Sequence, residues 1–225
     1  MNYKIIKDED KLKKFIEWLP NLKDGEQFYL ALFARSKYDK TNILKSDKSQ
    51  LARTTSTKDR LFDKIRKMEC PVGSYKINGV EDIPLDTLAL YIHPTPRSMK
   101  NASIKTAKMI LDNIGKDRYQ NPKSIALNAI QVSKSGSFRV DFDFDISNKN
   151  YDKHIKDIVY EATGNIDCFD IVQTKGGYHV LVDPSKTTEK RWYQNMMSNK
   201  NVDQAGDLLL PVPGCCQGDF TPKFI

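Results

Sequence analysis

The chain has 225 residues and a mass of 25.8 kDa, which is room for one large or two small domains. Hydrophobic residues make up 39% of it and aromatics 10%, enough for a packed core and against a disordered chain. Its apolar runs are too short for a membrane span, and the polar first eight residues carry no apolar signal core.

Lys and Arg number 36 against 29 Asp and Glu, so the net charge is +7, which fits a polyanionic partner or a solvated basic surface. The cysteines are Cys70, Cys168, Cys215 and Cys216, with no Cys-x-x-Cys pair. That usage reads as a reduced, cytoplasmic protein, in a host cytoplasm if the gene is viral or plasmid-borne. His93, His154 and His179 have no zinc-ligand spacing to these cysteines.

In chain order, Leu12, Phe15, Ile16 and Leu19 follow helical spacing from Asp8, and Pro20 stops the run. Residues 28–34 are apolar and aromatic without breakers, which predicts a buried strand. Residues 37–56, rich in Lys, Ser and Thr, read as a loop. A helix from about Thr57 carries Leu61, Phe62, Ile65 and Met68 on one face. Its other face holds Lys58, Arg60, Lys64, Arg66 and Lys67, a solvated surface or a phosphate contact. Residues 87–92 predict a strand that Pro94 and Pro96 break. The helix over 98–114 is expected to bury Ile104, Ala107, Leu111 and Ile114 and to stop at Gly115. A polar connector over 116–123 leads to a short apolar helix over 125–132.

From residue 133 the pattern is more regular. Strands are predicted over 138–146, 166–173, 178–182 and 207–212, with helices over 151–163 and 187–199. Lys175, Gly176 and Gly177 form a tight turn between the second and third strands. The order β-α-β-β-α-β is that of the ferredoxin-like or RRM-like sheet. The predicted fold class is α+β: an RRM-like module over 133–225, preceded by an α/β module over 1–132, in a single core. The usual spatial order is 4-1-3-2. Strands 138–146 and 178–182 are therefore expected to be adjacent, and parallel, with 166–173 and 207–212 at the sheet edges.

Side chains alternate along a strand, so Asp141, Asp143 and Asp145 share one face, and Phe142, Phe144 and Ile146 the other. Three carboxylates in a row repel one another, and Asp is a poor strand former. A bridging cation relieves the repulsion, and hard oxygen ligands suit Mg²⁺ or Mn²⁺. The bland alternative is an acidic, solvated edge strand. On the neighbouring strand His179 stands close to the aspartates. It follows a turn in which Lys175 and the backbone N–H groups of Gly176 and Gly177 can approach a phosphate. Carboxylates for metal beside donors for a triphosphate are the parts of two-metal nucleotidyl transfer. Asp207 is the expected third metal ligand, with Asp203 as second choice.

Together these motifs resemble the archaeo-eukaryotic primase superfamily, the catalytic cores of primases and primase-polymerases. The Asp141-Phe-Asp143-Phe-Asp145 strand resembles its Asp-x-Asp motif, Gly177-Tyr178-His179 its small-x-His motif, and Asp207 its later acidic residue. The resemblance covers about residues 138–225 and implies a primase-like catalytic core with a palm module. It implies that the aspartates bind Mg²⁺ or Mn²⁺, that His179 contacts the nucleotide's phosphates, and that nucleoside triphosphates are the substrates. Asp143 belongs to either productive aspartate pair. Asp143 with Asp145 is favoured narrowly over Asp143 with Asp141.

The function expected is a DNA-directed nucleotidyltransferase, a primase or primase-polymerase making short oligonucleotides on single-stranded DNA or RNA template. A separate helicase or replication protein is its expected partner, and no membrane is involved. Lys64, Arg66 and Arg97 are candidate nucleic-acid contacts. The alternative is a non-catalytic single-stranded nucleic-acid-binding protein on the same scaffold, which stacks bases on exposed sheet aromatics. Aspartates on the exposed sheet face argue against it, because without metal they repel a phosphate backbone. A third class, a palm-like nucleotidyl cyclase, is disfavoured by His179.

Overall fold

The computed structural model describes residues 1–77, 80, 83–116, 120–146 and 151–225. Its elements in chain order are α1 (Glu9–Trp18), β1 (Glu26–Ala34), β2 (Ser49–Ser56), α2 (Leu61–Arg66), β3 (Leu88–Ser98), α3 (Met99–Ile114), α4 (Pro122–Gln131), β4 (Val140–Phe144), α5 (Asp152–Thr163), β5 (Phe169–Gln173), β6 (Tyr178–Val182), α6 (Trp192–Met197), β7 (Val202–Gly206), β8 (Leu210–Pro211) and β9 (Lys223–Phe224). The strands form two antiparallel sheets, β2-β1-β3-β8 and β7-β4-β6-β5-β9. The chain is a mixed α+β protein. The predicted connector residues 117–119 and the Ser147-Asn148 loop after Asp145 lie outside the described residues.

The first sheet has two working faces. Phe28, Leu30, Leu32 and Ala34 of β1 pack with Leu12 and Phe15 of α1 and Leu61 and Ile65 of α2. Asp8 caps α1 by accepting from the Lys11 N–H, and Glu9 and Asp10 suit the positive end of the helix dipole. The alternate residues Tyr29, Ala31 and Phe33 face the other way, opposite His93, Tyr91 and Ala89 of β3.

Three expectations for this half are corrected. Residues 49–56, read as loop, form β2. An edge strand pairs on one side only and tolerates polar side chains, so its pattern carries no apolar alternation. Pro94 and Pro96 do not end β3. The register with β1 jumps from Tyr29 opposite His93 to Gln27 opposite Arg97, so both prolines lie in a bulge where the ladder needs no N–H from them. In α3 the expected buried stripe is on the outside: Ile104, Ala107, Leu111 and Ile114 are exposed, while Ala102 is buried and Met109 and Ile110 half-buried. The helix is apolar on more than one side, and packing against α4 and β3 selects the other one.

In the second sheet β7-β4-β6-β5 reproduces the 4-1-3-2 order. However, β4 and β6 are antiparallel, not parallel. The crossover through α5 returns β5 in the direction of β4, and the turn at 174–177 reverses the chain, so the strand inserted between them opposes both. The fourth strand is also earlier than expected, at Val202–Gly206 rather than 207–212. Beyond Gly206 the chain leaves this sheet, and Leu210 and Pro211 pair with Ile92 and Tyr91 of β3. β5 is not an edge strand, because β9 pairs with it. The helix expected over 187–199 is limited to α6, with Met196 buried and Trp192 half-buried.

Phe142 and Phe144 pack with Ile155 and Val159 of α5 and Met196 of α6. On the opposite face Val172 and Leu181 join the core of the first sheet, together with Leu210, Val212, Cys215 and Cys216. The segment after Gly206 contributes to both sheets, through β8 in the first and β9 in the second. The four cysteines are free thiols, and burial pushes the Cys216 thiol up to about 12. Among the described residues no helix is long and apolar enough to cross a membrane.

Leu181 is fully buried in this shared core. Leu181→Ala is expected to cost about 2–5 kcal/mol in urea denaturation, with far- and near-ultraviolet dichroism moving together. Two separated transitions in the wild type would show that each half has a core of its own.

Candidate active site between the sheets

Asp141 and Asp143 project from β4 on the face turned toward the first sheet, with Leu181 of β6. Asp145 lies just beyond the strand end. The expected shared face therefore holds, but the three carboxylates are graded: Asp141 is buried, Asp143 half-buried and Asp145 exposed. His179 sits on β6 directly opposite Asp143. Its Nδ1 donates to both oxygens of Asp141, at 2.9 and 3.0 Å. Its Nε2 is 3.7 Å from Oδ1 of Asp143.

These contacts set the charges. Burial acts to lower the pKa of His179, but the Asp141 charge and hydrogen bond, with Asp143 behind them, outweigh it and raise it above the ordinary imidazole value. The Asp143 carboxyl is raised above its usual range, first by burial and then by Asp141, Asp203 and Asp145, against the lowering effect of His179. Like-charge repulsion, the cause expected from sequence, is the smaller contribution.

A cavity of about 490 Å³ lies between the sheets, within the range of small-molecule sites. Asp143, Asp145 and Asp203 line it from the second sheet. Phe33, Arg35 and Tyr91 line it from the first sheet, and Lys37 and Lys48 from the β1–β2 connection. Arg35 is fixed by the Tyr91 hydroxyl and by Asp47, whose carbonyl and carboxylate accept at 3.0 and 3.2 Å. Carboxylates on one wall thus face Lys37, Lys48 and aromatics on the other, where Arg35 is balanced by Asp47, which also lines the cavity. Arg35, Lys37 and Lys48 were not singled out from sequence. Their one signal is that Arg35-Ser36-Lys37 directly follows a buried apolar run, which marks a strand end as a functional edge.

Asp207 also lines the cavity, but it is already engaged. Arg97 has no exposed surface and forks onto Asp207 at 2.6 and 2.9 Å. His93 stands 3.5 Å from the same carboxylate while its Nδ1 donates to the Leu208 carbonyl at 3.0 Å. Burial acts to raise the Asp207 pKa, yet hydrogen bonds from His93 and Arg97 and the Arg97 charge hold it at about 2. Asp207, expected as a metal ligand, here balances an internal cation with both oxygens. Arg97, sealed inside, is likewise corrected as a nucleic-acid contact.

The Lys-Gly-Gly turn differs from expectation in the same way. The Lys175 ammonium is 2.6 Å from Asp219 and 4.3 Å from the centre of the Tyr38 ring, and it does not line the cavity. The Lys175 N–H donates to Gln217 and the Gly177 N–H to the Thr174 hydroxyl. A Cβ on Gly177 would lie 1.9 Å from the Phe144 carbonyl oxygen, so this glycine serves close packing against β4. Gly176 lines the cavity, with open space around it. Lys64 and Arg66 belong to α2, across the first sheet from the cavity, and Arg66 is paired with Glu9 and Glu69.

No protein-family model, no curated protein and no solved structure matches the chain. Among the described residues no group of three or more His, Cys, Asp or Glu side chains is already gathered as a metal site. The donors do suit Mg²⁺ or Mn²⁺, which bind through one or two carboxylates together with substrate phosphates and water.

The Asp207 pKa is depressed, so its contribution to stability is complete above the unfolded carboxyl value and is lost as pH falls through about 2. Denaturation midpoints of the wild type should fall across pH 4 to 2 more steeply than those of Asp207→Asn. At neutral pH Arg97→Met, which leaves Asp207 unneutralised, should cost about 3–5 kcal/mol. A smaller loss would mean that solvent screens the pair.

Proposed function

We propose that the chain is a metal-dependent nucleotidyltransferase of primase or primase-polymerase type, acting on single-stranded DNA or RNA template. The observation that carries this reading is the in-register pair of Asp143 on β4 and His179 on β6, facing a cavity of about 490 Å³ whose opposite wall is cationic. The half-buried Asp143, with the exposed Asp145 and Asp203, stands opposite Lys37 and Lys48 across open space, while Arg35 is paired with Asp47. A polyanion with bound cations satisfies both walls.

In this reading Asp143 and Asp145 would hold Mg²⁺ or Mn²⁺, with Asp203 as the further carboxylate on the cavity. When bound, such ions neutralise and align a transferring phosphoryl group. The side chains of the protein supply the rest. His179, protonated with its Nδ1–H on Asp141, donates Nε2–H to a phosphate oxygen. Arg35, Lys37 and Lys48 set a positive field for the remaining phosphates. The chemistry is in-line attack of a 3′-hydroxyl on the α-phosphate, with diphosphate leaving. A separate helicase or replication protein would supply the unwound template.

Nucleotide incorporation on a single-stranded template with Mn²⁺ tests this. Asp143→Asn should abolish product, and Lys37→Glu with Lys48→Glu should raise the KM for nucleotide about tenfold. A wild type that makes no product on any template, yet binds single strands, would replace the enzyme by a binding protein on the same scaffold.

The raised Asp143 pKa gives an independent check. A carboxyl raised in the folded state costs stability once pH passes its unfolded value, so at neutral pH Asp143→Asn should melt higher than wild type without metal. Millimolar Mn²⁺ should raise the wild-type melting temperature and leave that of Asp143→Asn in place. Equal shifts in both would remove Asp143 from the metal site.

A further inference from the structure

The strand carries three same-face aspartates, and the structure separates the first of them from the other two. Asp145 is exposed and Asp143 half-buried, and both line the cavity. Asp141 is buried, does not line the cavity, and has both oxygens on the Nδ1 of His179. It sits diagonally across the β4–β6 ladder from His179, which is opposite Asp143. On its other flank it pairs with Gly206 of β7, which brings no side chain.

We propose that Asp141 is a positioning residue for His179 and not a metal ligand. The role attached to His179 rests on the nucleotide-transfer reading above; the pairing itself rests on geometry alone. Two features support it. A carboxylate accepts and does not donate, so the contact keeps a hydrogen on Nδ1 and fixes which ring nitrogen is turned outward. The same contact fixes the ring plane, because Nδ1 lies almost equally far from the two oxygens. Nε2 is then directed to the Asp143 side of the cavity, 3.7 Å from its Oδ1. Without Asp141 a buried imidazole has no acceptor at Nδ1, and the ring is free to turn, so that Nε2 is no longer held toward the cavity. Orientation of a histidine by a buried carboxylate is common where the exposed nitrogen must meet a ligand in one state.

The test uses the full chain with Asp141→Val, which fits a strand, and Asp141→Asn, which keeps one acceptor. Three quantities are measured: imidazole ¹⁵N shifts of His179, Mn²⁺ affinity by calorimetry, and steady-state constants for nucleotide incorporation. In Asp141→Val the ¹⁵N pattern should move away from the Nδ1–H form. The nucleotide KM should rise by about tenfold, the scale of one lost charge-assisted hydrogen bond. Mn²⁺ affinity should stay within about twofold of wild type by the same argument, since no ligand is removed. Asp141→Asn should recover part of the KM and part of the ¹⁵N pattern, which a purely structural role would not produce. If Asp141→Val does not fold, the Asn variant carries the same three readings at smaller amplitude.

Loss of Mn²⁺ binding in Asp141→Asn as large as that in Asp143→Asn would overturn the proposal by making Asp141 a ligand. Unchanged ¹⁵N shifts together with unchanged KM would overturn it as well. Should the wild type make no product, the ¹⁵N and Mn²⁺ readings still decide the role of Asp141, so failure of the enzymatic reading is told apart from failure of this one.

Discussion

A guanidinium with no exposed surface has to be neutralised where it stands, and Arg97 meets that demand through Asp207. Arg97 comes from β3 of the first sheet, and Asp207 from the residue that follows β7 of the second. The fork therefore joins the two sheets beside the cavity. Charge burial of this kind is a poor source of net stability but a strong constraint on geometry, because any other placement of either partner strands a charge. With the fork in place the chain after Gly206 must cross to the first sheet, where β8 pairs with β3, and then return for β9 to pair with β5. The shared apolar core of Leu181, Val172, Leu210 and Val212 fills in around that path.

The cavity follows from the same arrangement. The cavity between the two sheets is lined by side chains of strands β1, β3 and β4 and of the residues that follow β1 and β4. On β4 these are acids, and on β1 and β3 they are aromatics, followed by Arg35 at the strand end. The aromatic and cationic wall and the acidic wall belong to distant parts of the chain, yet each completes the other electrostatically. The two histidines of the site show the same division of labour. His179 is braced by Asp141 within the second sheet, and His93 stands against Asp207 from the first.

Much of the second sheet is legible in the sequence. The alternation Val140-Asp-Phe-Asp-Phe144 forces the acids to one face and the phenylalanines to the other, since a strand has period two. The order of strands and helices anticipated that β6 lies between β4 and β5, while the fourth strand is Val202–Gly206 and β4 and β6 run antiparallel. The neighbour relation of Asp143 and His179 follows from that order. The N-terminal helix was equally readable from Asp8, the spacing of Leu12 and Phe15, and Pro20.

What only the tertiary structure decided is which of several chemically equivalent side chains is paired internally and which lines the cavity. Asp141, Asp143, Asp145, Asp203 and Asp207 are identical in composition, but Asp141 is taken by His179 and Asp207 by Arg97. Those partners are 38 and 110 positions away, and no local pattern encodes them. The same holds for Lys175, drawn to Asp219, and for Arg35 and Lys37, brought to the cavity by the pairing of β1 with β3. The polar strand β2 and the outward stripe of α3 were misread for a related reason. Whether a side chain is covered depends on what packs against it, and an edge strand or a helix apolar on two sides leaves that choice to the rest of the chain. Periodicity is local and so fixes which residues share a face. Charge pairing and burial are non-local, and they fix what that face meets.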